Sequence, residues 1–188
     1  MKNISIALIH YPVYNKKKEI VASSITNFDI HDIARCARTY GVKKYFIIHP
    51  QQSQRDFASE LISFWQDGYG KEYNSDRSSA VDIVEVVADL KEIEEKYGKH
   101  KLIATTAQDR PNGIDIDSLA REAVSNPDLN YLLLFGTGWG MSEEIFQIAD
   151  NTLKPVLGAG EYNHLSVRSA AAIILDRVKN SMVLYQVL

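Results

Sequence analysis

Apolar and polar positions along this chain change period several times, and the changes delimit its elements. The run Ile4-Ser5-Ile6-Ala7-Leu8-Ile9 is short, β-branched and apolar with Pro12 beyond it, which predicts a buried strand. Residues 11–18 read as a polar loop carrying Tyr14 and the lysines Lys16, Lys17 and Lys18. From Phe28 the period lengthens to that of a helix, with Ile30, Ile33, Ala34 and Ala37 on one face and Gly41 as the stop. Lys44-Tyr45-Phe46-Ile47-Ile48 predicts the next strand, closed by Pro50, and Phe57, Leu61, Ile62, Phe64 and Trp65 mark a second amphipathic helix ended by Gly68. Residues 81–87 alternate apolar with acidic side chains and read as a half-buried strand, and a charged helix over 90–97 stops at Gly98.

The second half repeats the alternation. Residues 102–106 predict a strand that runs into a loop around Arg110, Pro111, Asn112 and Gly113, followed by a helix over 116–124. Tyr131-Leu132-Leu133-Leu134-Phe135 is as apolar as a strand buried on both faces of a parallel sheet. A short helix over 142–148, a short strand or extended segment over 154–157 and a long helix rich in Ala and Ile over 166–178 complete the chain. Strands alternating with helices on this spacing predict an α/β fold, a mostly parallel sheet flanked by helices on both faces. No repeat, low-complexity tract or Pro/Ser linker interrupts it, so residues 1–188 are expected to form a single domain.

Composition changes this picture little. The 45% hydrophobic and 24% charged fractions are ordinary for a globular chain, and a compact monomer of this size should expose about 9,100 Å². The single cysteine, Cys36, excludes an intramolecular disulfide and a zinc site built on several cysteines; it reads as a small buried hydrophobe. No apolar run approaches the length of about 20 residues that a membrane span needs. Met1-Lys2-Asn3-Ile4 runs directly into the first strand without the apolar stretch of a cleavable signal, so a cytoplasmic protein is expected. Charge is more informative. The net −3 divides into +5 over residues 1–50, −5 over 51–100, −5 over 101–150 and +2 over 151–188. If the two ends fold together, they form a basic face that can meet phosphates.

Candidate chemistry lies in two glycine clusters, each after a strand. Phe135-Gly136-Thr137-Gly138-Trp139-Gly140 follows the most apolar strand, and open parallel sheets bind ligands at that carboxyl edge. Its spacing fails the dinucleotide fingerprint, because the third glycine comes one residue early and no acidic residue ends a following strand about 20 positions on. No Gly-Lys-Ser/Thr exists for a phosphate-cradling loop either. The second cluster, Gly158-Ala159-Gly160, leads through Glu161, Tyr162, Asn163, His164 and Leu165 into the last helix, where Ser166 is the expected N-cap.

Three segments together carry a resemblance. Residues 29–42, with Arg35, Thr39 and Gly41, resemble the first motif of the SPOUT RNA methyltransferases, residues 135–141 the second and residues 165–172 the third, in the family's order. The resemblance implies a C-terminal trefoil knot, S-adenosylmethionine as cofactor, RNA (tRNA or rRNA) as substrate, and a homodimer with its active site at the interface. It implies no metal and no membrane. By position the cofactor segments are Thr105, Thr106 and Ala107; Phe135, Gly136, Thr137, Gly138, Trp139 and Gly140; and Leu157, Gly158, Asn163, His164, Leu165 and Val167. Arg35 occupies the place of the family's motif-one arginine beside the methyl group, and Arg168 is a further catalytic candidate.

This sequence also departs from the ribose-methylating branch. Asp29 stands where that branch has Asn, Thr137-Gly138 where it has Glu, and Ser166 and Arg168 where it has Asn and Ser. The acceptor is therefore either a base nitrogen or a ribose 2′-hydroxyl, with relatives of the tRNA guanine-N1 methyltransferases as one branch. Glu161, Asn163 and His164 are substitutes for the missing polar groups, and no chemistry is assigned to His10, His31 or His49. Lys16, Lys17 and Lys18 with Tyr11 and Tyr14 form a basic loop with aromatic rings suited to unpaired bases, and no separate RNA-binding domain is expected. Two other readings compete: a catalytically silent SPOUT-like module that binds S-adenosylmethionine or RNA, and an ordinary doubly wound enzyme for a small nucleotide-like metabolite.

Overall fold

The protein is described by a computed structural model over residues 1–160 and 162–186. Its strands are β1 (Ile4–Ile9), β2 (Val13–Tyr14), β3 (Ile20–Val21), β4 (Tyr45–Ile48), β5 (Val84–Val87), β6 (Lys101–Thr105), β7 (Gly113–Ile114), β8 (Tyr131–Gly136) and β9 (Asn151–Leu153). Its helices are α1 (Asn27–Thr39), α2 (Gln52–Gln66), α3 (Tyr69–Tyr73), α4 (Ser75–Val81), α5 (Leu90–Tyr97), α6 (Ile116–Ser125), α7 (Glu143–Ile148) and α8 (Val167–Gln186). Seven strands form one sheet in the order β5-β4-β1-β8-β6-β9-β7, with every pair parallel, and β2 and β3 make a separate antiparallel hairpin.

Strand β1 shows why both faces are covered. All six of its residues are buried; Ile4, Ile6 and Leu8 join Ile33, Leu119, Ala171 and Leu175 on one face, and Ala7 and Ile9 join Ile93 and Ile145 on the other. The pleat alternates side chains, so an uninterrupted apolar run requires helices on both sides. α1, α6 and α8 pack together on the first face. The contact of α1 with α8 brings the positive first quarter of the chain to its positive end.

Helix boundaries follow local chemistry. Thr26 caps α1, its Oγ1 accepting from the Asp29 amide at 3.2 Å and its hydroxyl donating to the Asp29 carboxylate at 2.6 Å. Asp89 and Asp115 cap α5 and α6 through the amides of Glu92 and Ser118. Ser166 Oγ accepts from the Ser169 amide at 3.2 Å, the cap expected there. Gly98 ends α5 at φ 79°, a conformation that side chains resist.

Four expectations need correction. Residues 75–81 are helical, capped by Asn74, and only 84–87 pair as a strand. The strand expected over 154–157 lies earlier, at β9. The polar loop over 11–18 contains β2, and with β3 it forms the hairpin. The last helix runs eight residues beyond 178. The displacement of β9 matters most. It is inserted between β6 and β7, parallel to both, while β6 and β7 are joined directly to each other by residues 106–112. The last part of the chain therefore emerges beside a loop made earlier.

Candidate active site

Strands β8, β6 and β9 are consecutive in the sheet, and the three predicted cofactor segments follow their carboxyl ends. The sheet thus brings together residues that are about 20 to 60 positions apart, at the edge where parallel sheets bind ligands. Side chains then tie the segments to one another. Asn163 Nδ2 donates to the Ala107 carbonyl at 3.4 Å while its Oδ1 accepts from the Gly158 amide at 3.2 Å. Arg110, in the loop after β6, forms a two-point ion pair with Glu143 at 3.0 and 2.8 Å, and its guanidinium lies 3.6 Å from the centre of the Phe146 ring. Thr105 donates to the Leu134 carbonyl at 2.8 Å.

The 136–140 turn has no room for side chains at two positions. A Cβ on Gly136 would lie 2.8 Å from the Met141 amide nitrogen. At Gly138, φ is +59° and a Cβ would lie 2.9 Å from the Tyr14 carbonyl oxygen. Gly140, at φ +100°, faces open space. Trp139 is exposed at the turn's tip, with its amide donating to the Tyr14 carbonyl at 2.9 Å. Leu157, His164 and Leu165 are exposed and Val167 is half-buried against the core. Glu161 lies outside the described residues. A lining of main-chain groups, glycines and uncharged side chains, with no phosphate cradle, fits an adenosyl sulfonium nucleoside better than a nucleoside triphosphate. Two clefts of ≈ 420 and ≈ 410 Å³, lined by Lys154 and Arg177 and by His100 and Asp150, involve neither 136–140 nor 157–165.

The two arginines occupy different surroundings. Arg168 donates to Asp29 at 2.7 Å and lies 3.6 Å from Asp32, with its guanidinium beside the Phe28 ring. Arg35 lies about 9 Å further along α1, exposed and without an ion pair among the described residues. With Arg77 of α4 it adds positive charge around His31, whose pKa is lowered, chiefly by burial. Because Asp29 is buried, Arg168→Met should leave a carboxylate unpaired and cost about 2–3 kcal/mol, discounted for the partial exposure of the arginine. Urea denaturation checks this, and adding Asp29→Asn should recover most of the loss.

The lysine loop is also placed differently from its expected use. Lys16, Lys17 and Lys18 are exposed between β2 and β3. Tyr14, however, accepts from the Glu143 amide with its hydroxyl at 3.2 Å, and its amide donates to the Gly140 carbonyl at 2.8 Å. Tyr14 anchors the hairpin to the glycine turn, and only Tyr11 keeps a substantially exposed ring.

The sequence reading passed over a polar cluster at the end of β1. His10 Nδ1 lies 2.9 Å from Ser23 Oγ, Ser23 Oγ lies 2.5 Å from Thr137 Oγ1, and Thr137 donates to the Ile9 carbonyl at 3.0 Å. His49 Nε2 contacts the Ser23 carbonyl at 3.1 Å. Burial lowers the His10 pKa to about 4, against the opposing pull of the Asp29 charge. Nothing local marks these residues as partners. Ser23 and Thr137 are 114 positions apart.

A parallel sheet with β9 inserted between β6 and β7, and with two glycine-bearing turns beside a third segment at one carboxyl edge, is the frame of a cofactor-binding α/β protein. The chain belongs to the SAM-dependent RNA methyltransferase family, which it matches over residues 3–180. It is 38% identical over 182 residues to an uncharacterised protein of Aquifex aeolicus, covering 94% of this chain and 88% of that one. It is 40% identical over 181 residues to a tRNA (guanine-N(1)-)-methyltransferase of Oleidesulfovibrio alaskensis, covering 94% of this chain but only 42% of the relative's length. A probable methylase family protein of Haemophilus influenzae has a similar structure (TM-score 0.66, 16% identity, 98% of this chain and 68% of that chain). So does the SpoU methyltransferase AviRb of Streptomyces viridochromogenes in complex with the cofactor AdoMet (TM-score 0.58, 15% identity, 95% and 57%). The resemblance to RNA methyltransferases therefore holds, as does the expected mostly parallel sheet flanked by helices, and S-adenosylmethionine is the family's cofactor. No helix among the described residues is long and apolar enough to cross a membrane.

Proposed function

We propose that this domain methylates RNA in the cytoplasm as a homodimer. S-Adenosylmethionine would be held by 105–107, 136–140 and the segment from Leu157 to Val167. The observation that carries this reading is the convergence of those turns on three adjacent strands, tied by Asn163 and by Arg110 with Glu143. The cofactor supplies an electrophilic methyl group. The chain's own task is to hold the acceptor in line and to neutralise the phosphate beside it. Arg35, exposed and without an ion pair among the described residues, is suited to a bidentate phosphate contact. We read β9 between β6 and β7 as the thread of a trefoil knot, a rare exception among chain topologies.

In a dimer, a second copy can bring its Arg35 to the turns of the first. A dimer also accounts for the surface. The chain exposes 10330 Å², against the compact-monomer value of about 9,100 Å². Large apolar side chains at the α1 start and the turns are solvent-facing, among them Phe28 at 67% and Leu157 at 75%. Sedimentation equilibrium should read twice 21.2 kDa; a concentration-independent monomer would refute the dimer.

Transfer RNA is favoured over ribosomal RNA by the name of the 40% identical relative. Because this chain spans 42% of that relative, a guanine N1 acceptor does not carry over with it. Labelled methyl transfer to total RNA, with nucleoside mass spectrometry, tests the activity and identifies the acceptor. Arg35→Ala should lower transfer at least about 100-fold while leaving cofactor affinity within about three-fold. The catalytically silent reading draws support from Arg168, already held by two carboxylates. It predicts cofactor binding with no transfer to any RNA.

A further inference from the structure

The hydrogen-bond chain at the end of β1 takes its direction from the buried ring at its start. The single proton of a neutral imidazole sits where it can be donated, and His10 Nδ1 has Ser23 Oγ at 2.9 Å as its partner. Ser23 then gives its own hydroxyl proton to Thr137 at 2.5 Å rather than to the His10 carbonyl at 3.5 Å. Thr137 gives its proton to the Ile9 carbonyl at 3.0 Å, which the Thr137 amide also reaches at 3.3 Å. Nε2 carries a bare lone pair. His10 is 0% exposed, and Nε2 has no hydrogen-bond partner among the described residues. Burial holds the ring neutral, so the Nδ1–H tautomer is the state in which the chain operates.

The position of this chain gives it a consequence. Thr137 is the first residue after β8 in the glycine turn, and Ile9 pairs with Gly136 across the sheet. The Asp29 carboxylate, which holds both Thr26 and Arg168, is near enough for its charge to act on the His10 ring. We propose that His10, through Ser23, is a positioning residue for the cofactor turn: it fixes Thr137 against the end of β1 and so sets the height at which residues 138–140 meet the ligand. Being fully buried, His10 touches neither cofactor nor RNA. The proposal rests on the reading of 136–140 as a cofactor turn.

Calorimetric titration with S-adenosylmethionine tests it on the full chain. His10→Leu and Thr137→Val should each weaken binding by about ten-fold, the scale of a broken hydrogen bond that leaves a buried partner unsatisfied. The double variant should bind no more weakly than the weaker single one, because both cut the same chain. His10→Asn, whose amide can donate to Ser23, should remain within about three-fold of the parent protein. Parent-like affinity in His10→Leu, or additive losses in the double variant, would overturn the proposal even with the unfolding temperature lowered. If the parent protein itself binds no S-adenosylmethionine, the functional reading fails and the positioning role fails with it. The internal relay is then judged separately by ¹⁵N shifts of the His10 ring. A protonated Nδ1 with an unprotonated Nε2 at pH 7 upholds the relay, and the opposite tautomer refutes it.

Discussion

Gly138→Val is expected to abolish S-adenosylmethionine binding, with affinity falling at least about 100-fold. Two independent effects add at that position. The backbone is at φ +59°, which a β-branched residue adopts only under strain, and a Cβ would approach the Tyr14 carbonyl oxygen to 2.9 Å. That carbonyl already accepts from the Trp139 amide, and the Tyr14 amide donates to Gly140, so the hairpin cannot recede without breaking the contacts that shape the turn. The strain falls on an exposed turn outside both apolar clusters. Stability should therefore fall by only about 1–3 kcal/mol, and calorimetry beside urea denaturation separates loss of affinity from loss of fold. Gly140→Ala makes the contrast. It shares the unfavourable φ, at +100°, but meets nothing within 4 Å, so its effect on affinity should be much smaller.

Acid should destabilise the protein as pH falls from 6.5 towards 4, and most of the effect should trace to His10. Its pKa falls from 6.5 to about 4 on folding, chiefly by burial, with His49 adding to the fall and Asp29 opposing it. A lowered folded pKa means that the unfolded chain binds the proton first. The stabilisation is therefore complete above pH 6.5 and is lost as pH falls from 6.5 towards 4. The difference corresponds to about 3 kcal/mol, a large share of a typical total of about 5–15 kcal/mol. His31, His49 and His100 are shifted the same way, each mainly by burial, and reinforce it. Glu92, Asp115 and Glu143 are also lowered, but from 4.5, 3.8 and 4.5, so their losses come at lower pH. Urea midpoints at pH 7.5 and 5.0 should separate sharply in the parent chain and converge in His10→Asn; equal separation in both would assign the acid sensitivity elsewhere.

The elements that the sequence announced are those decided by their own residues. β1 and β8 are apolar runs buried on both faces, and α5 carries its cap at Asp89 and its stop at Gly98. α4 was hidden because Ser75-Asp76-Arg77-Ser78-Ser79-Ala80-Val81 has little apolar periodicity; Asn74 and packing against α1 and α2 make it helical. β9 was hidden for another reason. Asn151-Thr152-Leu153 has the composition of a turn, and only insertion between β6 and β7 makes it a strand. In the candidate site, the glycines were legible because backbone geometry restricts residue type locally. The tie from Asn163 to Ala107 spans 56 positions, that from Arg110 to Glu143 spans 33, and His10 reads as any polar residue ending a strand. Such partners exist only once the sheet has brought them together.

The place of β9 also bears on how the molecule resists dismantling. A three-residue strand would ordinarily be the first to fray, but this one is bordered on both sides. With β9 threaded as we propose, tension applied near residue 186 would draw the segment after β9 up against the 106–112 crossing, which Arg110 clasps to Glu143, rather than peel away an outer edge. On the proposed reading the 105–107 cofactor segment leads straight into that crossing, so mechanical toughness and cofactor retention would share one origin.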